Sequence, residues 1–77
     1  MNLAFVYMQA GRYDLARGEA RKASNSYSGE PEPFFRMGQA FWLEEKDDEA
    51  RENLQKALDM GLSGDLRREA EELLEKI

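Results

Sequence analysis

The chain has 77 residues with 42% hydrophobic and 35% charged side chains, enough for one domain with a thin core, because a chain of this size buries only about 60% of its unfolded surface. It contains no cysteine and no histidine, so disulfides, thiolate metal sites and the commonest general base are excluded. The net charge is −5, which would repel a phosphate backbone, and no stripe of basic and aromatic residues offsets it; nucleic acid is not an expected partner.

From the N-terminus, Leu3, Ala4, Tyr7 and Met8 share one helical face that stops near Gly11, a residue suited to the left-handed turn that ends a helix. A second helix is expected from Tyr13 or Asp14, with Ala16, Ala20 and Ala23 forming a small-residue stripe that permits close backbone approach. Gly18 weakens it, and Ser24-Asn25-Ser26 competes for backbone hydrogen bonds, so fraying is expected beyond Ala23. Gly29-Glu30-Pro31-Glu32-Pro33 breaks the chain, and the third helix should begin between Pro31 and Pro33.

Phe34, Met37, Gly38, Phe41 and Trp42 then recur at helical spacing, as do Ala50, Leu54, Ala57, Leu58 and Met60. The run Glu44 to Glu49 between them suits a tight turn that folds the two helices back on one another. As a catalytic or metal-binding cluster the run is poorly built: it lacks the alternating ligands and central glycine of a calcium loop, and a solvated turn explains it. Gly61 supplies the next helix stop, Ser63 a cap and Asp65 a favourable first-turn charge. In the fifth helix Leu66, Ala70, Leu73, Leu74 and Ile77 line one side, and the pairs Arg67–Glu71 and Glu72–Lys76 stand one turn apart on the other.

Charge is uneven along this order. Met1 to Gly29 carries four basic against two acidic residues, net +2, and the remainder carries −7. Basic beginning and acidic end would attract in head-to-tail stacking. No apolar run approaches the roughly 20 residues of a membrane span, and the opening MNLAFVYMQA lacks the basic flank and cleavage site of a signal peptide. Membrane insertion is not expected, and the compartment is left open.

Shifting the chain by 34 residues aligns Leu3 with Met37, Ala4 with Gly38, Tyr7 with Phe41, Asp14 with Asp48, Ala16 with Ala50, Arg17 with Arg51, Lys22 with Lys56 and Ala23 with Ala57, without a gap. A gapless period of this length with two helices per unit resembles the tetratricopeptide repeat. In the second unit Phe34 stands where a tryptophan is usual, Met37-Gly38 replaces leucine-glycine, Phe41 replaces tyrosine, and Ala50, Leu54 and Ala57 follow at the family spacings. The first unit matches through Leu3, Ala4, Tyr7, Gly11, Tyr13, Ala16 and Ala23 but has Ala20 where a large aromatic is expected. Ser28 and Leu62 replace the closing prolines, and Glu45 replaces a glycine. The resemblance implies an all-α fold of antiparallel helix-turn-helix repeats in a right-handed superhelical arrangement, five helices in all. Its units would be a first repeat at 1–28, a second at 31–62 and a capping helix at 64–77.

Such a fold implies a non-catalytic interaction module without a cofactor, whose concave groove takes a peptide or partner helix. Carried over by position, the groove is lined by Phe5, Met8 and Gln9 and by Phe35, Gln39, Trp42 and Leu43; such side chains bury much apolar area with few rotors to freeze. For Trp42 the alternative is packing beneath the terminal helix. The lysine, asparagine and arginine clamp that grips chaperone tails in the best known members is absent: Met1 and Phe35 stand at its first lysine positions, Phe5 and Gln39 replace its asparagines, and Arg36 alone is left to contact a carboxylate, its alternative being a surface helix position. The alternative function is self-assembly. Leu3 and Tyr7, with the Ala16, Ala20 and Ala23 stripe, form an N-terminal edge expected to be covered either by further repeats in a longer array or by a second copy, one route being an exchange of helices across Gly29 to Pro33.

Overall fold

The computed structural model describes residues 3–26 and 29–77. These form five α-helices and no strand: α1 Leu3–Gln9, α2 Tyr13–Ser26, α3 Glu32–Leu43, α4 Asp47–Asp59 and α5 Gly64–Lys76. Ser28 at its repeat-closing position and Met1 at the clamp position lie outside the described residues. Among the described residues no helix is long and apolar enough to cross a membrane.

The helix ends follow from local chemistry. Gly11 takes φ 77° after α1, and its N–H donates to the Met8 carbonyl while that of Arg12 donates to Tyr7, which satisfies carbonyls the helix would otherwise leave bare. Glu45, one period later, adopts φ 64°, so the turn needs a left-handed residue at the same place even where no glycine is present; for a side-chain-bearing residue this costs roughly 1–2 kcal/mol. Pro31 precedes α3, its carbonyl accepting from the N–H groups of Phe34 and Phe35. Two expectations change. The second helix continues to Ser26 rather than fraying after Ala23, and the Ser24 hydroxyl donates to the Arg21 carbonyl at 2.7 Å without breaking the helix. Ser63 stands at the start of α5 in an extended conformation, but its side chain makes no capping hydrogen bond.

α3 is the centre of the packing: each helix packs on its sequence neighbour in the order α1, α2, α3, α4, α5, and α3 also touches α1 and α5. The contact between α3 and α4 is set by Gly38. A Cβ placed there would lie 2.7 Å from Leu54 Cγ and 3.0 Å from the Leu54 backbone nitrogen, so the helices approach to a distance that only a missing side chain permits. Leu54 and Phe35, both fully buried, form one core with Ala57, Leu62 and Ala70, onto which Leu58, Leu66, Leu73, Leu74 and Ile77 pack. Ala4, Ala20 and Met37 form a second core, and Phe34 borders both.

The alanine stripe of α2 corrects the expected open edge. Ala16 and Ala20 are 1% and 2% exposed, and Ala20 packs with Met37 and Phe34 of α3 and with Ala4 of α1. Of the edge residues, Leu3 is exposed and Tyr7 is half-buried. Residues one period apart share burial, as in Ala4 and Gly38, Ala16 and Ala50, and Ala20 and Leu54.

Two glycine-to-alanine substitutions should have opposite signs. Gly38→Ala is expected to destabilise by roughly 1–3 kcal/mol, because the new methyl meets the branch point and backbone of Leu54 rather than a flexible chain end. Gly18→Ala, with nothing within 4 Å of the added Cβ, should stabilise α2 by roughly 0.5–1 kcal/mol. Urea denaturation of both variants checks this; a neutral or stabilised Gly38→Ala would disprove the close approach.

Candidate functional site

The end of α3 is held against α2 by a charge pair between residues 27 apart in sequence. Arg17 donates from Nε to Glu44 Oε2 at 2.6 Å and from its terminal nitrogen to Glu44 Oε1 at 2.9 Å, and both side chains are mostly shielded from water, at 25% and 19% exposure. The two-pronged geometry matches the planar guanidinium to the carboxylate. The guanidinium carbon also lies 4.8 Å from the centre of the Phe41 ring, within cation–π range. The hydrogen bond to Glu44 outweighs desolvation and raises the Arg17 pKa above its ordinary value. Arg17 therefore stays charged across neutral and mildly alkaline pH, and its share of the pair is lost only as pH rises through that raised value in strong alkali. Glu44 opens the acidic run, so this residue is a structural ion-pair acceptor rather than part of a solvated turn.

The side chains just before Glu44 are thereby positioned on the surface. A depression of about 280 Å³ is lined by Phe5, Met8, Gln9, Tyr13, Gln39 and Leu43. α1 supplies Phe5, Met8 and Gln9, and the Gly11 turn brings Tyr13 back beside them; α3 supplies Gln39 and Leu43 one helical turn apart. Phe5 and Leu43 are 43% and 38% exposed. Leu43 also borders a second depression of about 450 Å³, lined with Trp42, Glu45 and Asp47.

Phe5, Met8, Gln39 and Leu43 are thus brought together as expected by position, with Gln9. Phe35 is not. It is 0% exposed and packs with Leu62 and Ala70: α5 folds onto both α3 and α4 and closes the face on which Phe35 would have met a partner. Trp42 lies outside the first depression and is half-buried. Lys76, at the end of α5, places its ammonium 5.6 Å from the Trp42 ring centre instead of pairing with Glu72, whereas Arg67 and Glu71 do pair, at 3.8 Å.

Tyr13 was not among the expected groove residues. No sequence signal marked it: Tyr13 follows the Gly11 turn, and only the fold of α1 back on α2 brings it beside Phe5, Met8 and Gln9.

Arg36 is committed internally. It donates to Gln39 Oε1 at 3.1 Å and Glu32 Oε1 at 3.3 Å, and its guanidinium carbon lies 5.5 Å and 5.2 Å from the rings of Phe5 and Phe35. Its buried Nε has no hydrogen-bond partner among the described residues. Arg36, Glu32 and Glu30 also border a cleft beside Ala4, Ala20 and Ala23, where Arg36 is paired with Glu32. Among the described residues no group of three or more Asp, Glu, His or Cys side chains is placed to hold a metal ion.

Comparison with protein-family models, with curated proteins and with solved structures gives no match.

The Arg17–Glu44 pair should appear as a coupling energy. In a double-mutant cycle built from Arg17→Met and Glu44→Gln, thermal or urea unfolding is expected to give about 1 to 2 kcal/mol of interaction, above the range of fully exposed pairs. Additive single mutants would show that the pair contributes no net stability.

Proposed function

We propose that the chain is a non-catalytic, tetratricopeptide-like protein-binding module that takes a peptide or partner helix in the groove between α1 and α3. The observation that carries this reading is the depression formed by Phe5, Met8, Gln9, Tyr13, Gln39 and Leu43, with two large apolar side chains left open to solvent. The 34-residue register supports the family part of the proposal, because small or buried residues recur one period apart at the helix crossings and left-handed residues recur at the hairpin turns. The groove is shallow and framed by secondary structure, so it suits side chains projecting from a peptide better than an enclosed small molecule. Aromatic, methionine and leucine contacts would supply most of the affinity, and Gln9 and Gln39 would satisfy peptide amides at the rim.

Self-assembly is the second reading, favoured by the exposure of Leu3 at 53% and Leu15 at 42%. It predicts a mass in sedimentation that rises with concentration and returns to that of a monomer on Tyr7→Lys.

For the groove reading, peptides selected on the chain from a random display library should shift the amide resonances of Phe5, Met8, Gln39 and Leu43. Leu43→Ala should weaken them by about 1–2 kcal/mol while leaving the fold intact, since Leu43 is exposed. Resonance shifts confined to the other faces would reject the groove.

A further inference from the structure

We infer that the segment taken by this groove carries a lysine or arginine next to its apolar residues, seated at the Trp42 end. The inference rests on the groove reading above and adds the chemistry of the occupant.

Leu43 lines both depressions, so the surface is continuous from Phe5, Met8 and Tyr13 to Trp42, Glu45 and Asp47. Its two ends are related by the repeat: Met8, Gln9, Gly11 and Tyr13 stand 34 residues before Trp42, Leu43, Glu45 and Asp47. The first end has no charged lining residue. At the second end the same positions carry two carboxylates, Glu45 and Asp47, both exposed. Among the described residues neither is held in an ion pair, in contrast to Glu44, which is committed to Arg17. Lys46 lies between them in sequence but does not line the depression.

The Trp42 face already receives a cation from within the chain, the Lys76 ammonium at 5.6 Å, so the occupant's charge is met by the carboxylates and not by this ring. A cationic side chain following apolar residues along the groove would meet Glu45 and Asp47. An anionic one would meet two like charges at the same place. Charge over a longer range acts in the same direction, because residues 30–77 carry −7 of charge and draw cationic segments toward this end.

The test uses the intact chain and a displayed library of random peptides, with a counter-screen on Leu43→Asp to retain only groove binders. Affinities of the selected peptides are read from Trp42 fluorescence, the signal of the only tryptophan in the chain. The expected result is that the peptides combine apolar residues with lysine or arginine, and that Glu45→Lys with Asp47→Lys weakens them by about fivefold or more at low salt. The difference should shrink as ionic strength rises, and circular dichroism should show the double variant folded, since both residues are exposed. Leu43-dependent peptides without a basic residue, or equal affinity for the double variant, would overturn the inference while the groove reading stood. If no selected peptide depends on Leu43, both fall.

Discussion

The structure depends on one close approach, that of Gly38 on α3 to Leu54 on α4. With a Cβ excluded to within 2.7 Å of Leu54 Cγ, the two helices come near enough for Leu54 to be fully buried beside Phe35. Dispersion forces fall steeply with separation, so this approach decides how well the thin core is filled. The remaining elements are arranged around the result: α5 lays Ala70 and its leucines against the same core, and Phe34 connects that core to the smaller one formed by Ala4, Ala20 and Met37.

A core built from alanines has a consequence for the surface. Ala4, Ala16, Ala20, Ala40, Ala50, Ala57 and Ala70 are all buried, which lets helices pack closely but buries little apolar area per residue. Several large apolar side chains therefore remain partly in water. Phe5 and Leu43 do so side by side across α1 and α3, and the Arg17–Glu44 pair fixes the end of α3 from which Leu43 projects. The groove is thus a product of the same economy of side-chain volume that forms the core.

Charge divides the molecule differently from hydrophobicity. Two arginines are used internally: Arg17 bridges α2 to the end of α3 and covers Phe41, and Arg36 lies against Phe5 and Phe35 while bonding to Glu32 and Gln39. Acidic residues are mostly left at the surface, with Asp47, Asp48 and Glu49 in the first turn of α4, where the helix dipole favours them. This leaves Glu45 and Asp47 beside Trp42 as the negative end of an otherwise uncharged strip.

Helix number, the turns at Gly11, Glu45 and Gly61, and the apolar face of α5 were legible in the sequence because they are set by neighbours within one or two turns: hydrophobic period, capping chemistry and backbone preference act locally. The repeat register also placed Phe5, Met8, Gln39 and Leu43 on one strip. It misplaced Phe35, since a residue's position on its own helix does not tell whether another helix will cover it, and α5 did. For the same reason Ala16 and Ala20 were expected at an open edge and are buried, Ala20 against Met37, Phe34 and Ala4. The Arg17–Glu44 bridge joins side chains 27 residues apart, a distance over which no local pattern operates. The amino-acid sequence by itself determined which faces seek burial; the packing of α1, α3 and α5 decided which of them remained open, because burial is a property of the space between helices and not of any one of them.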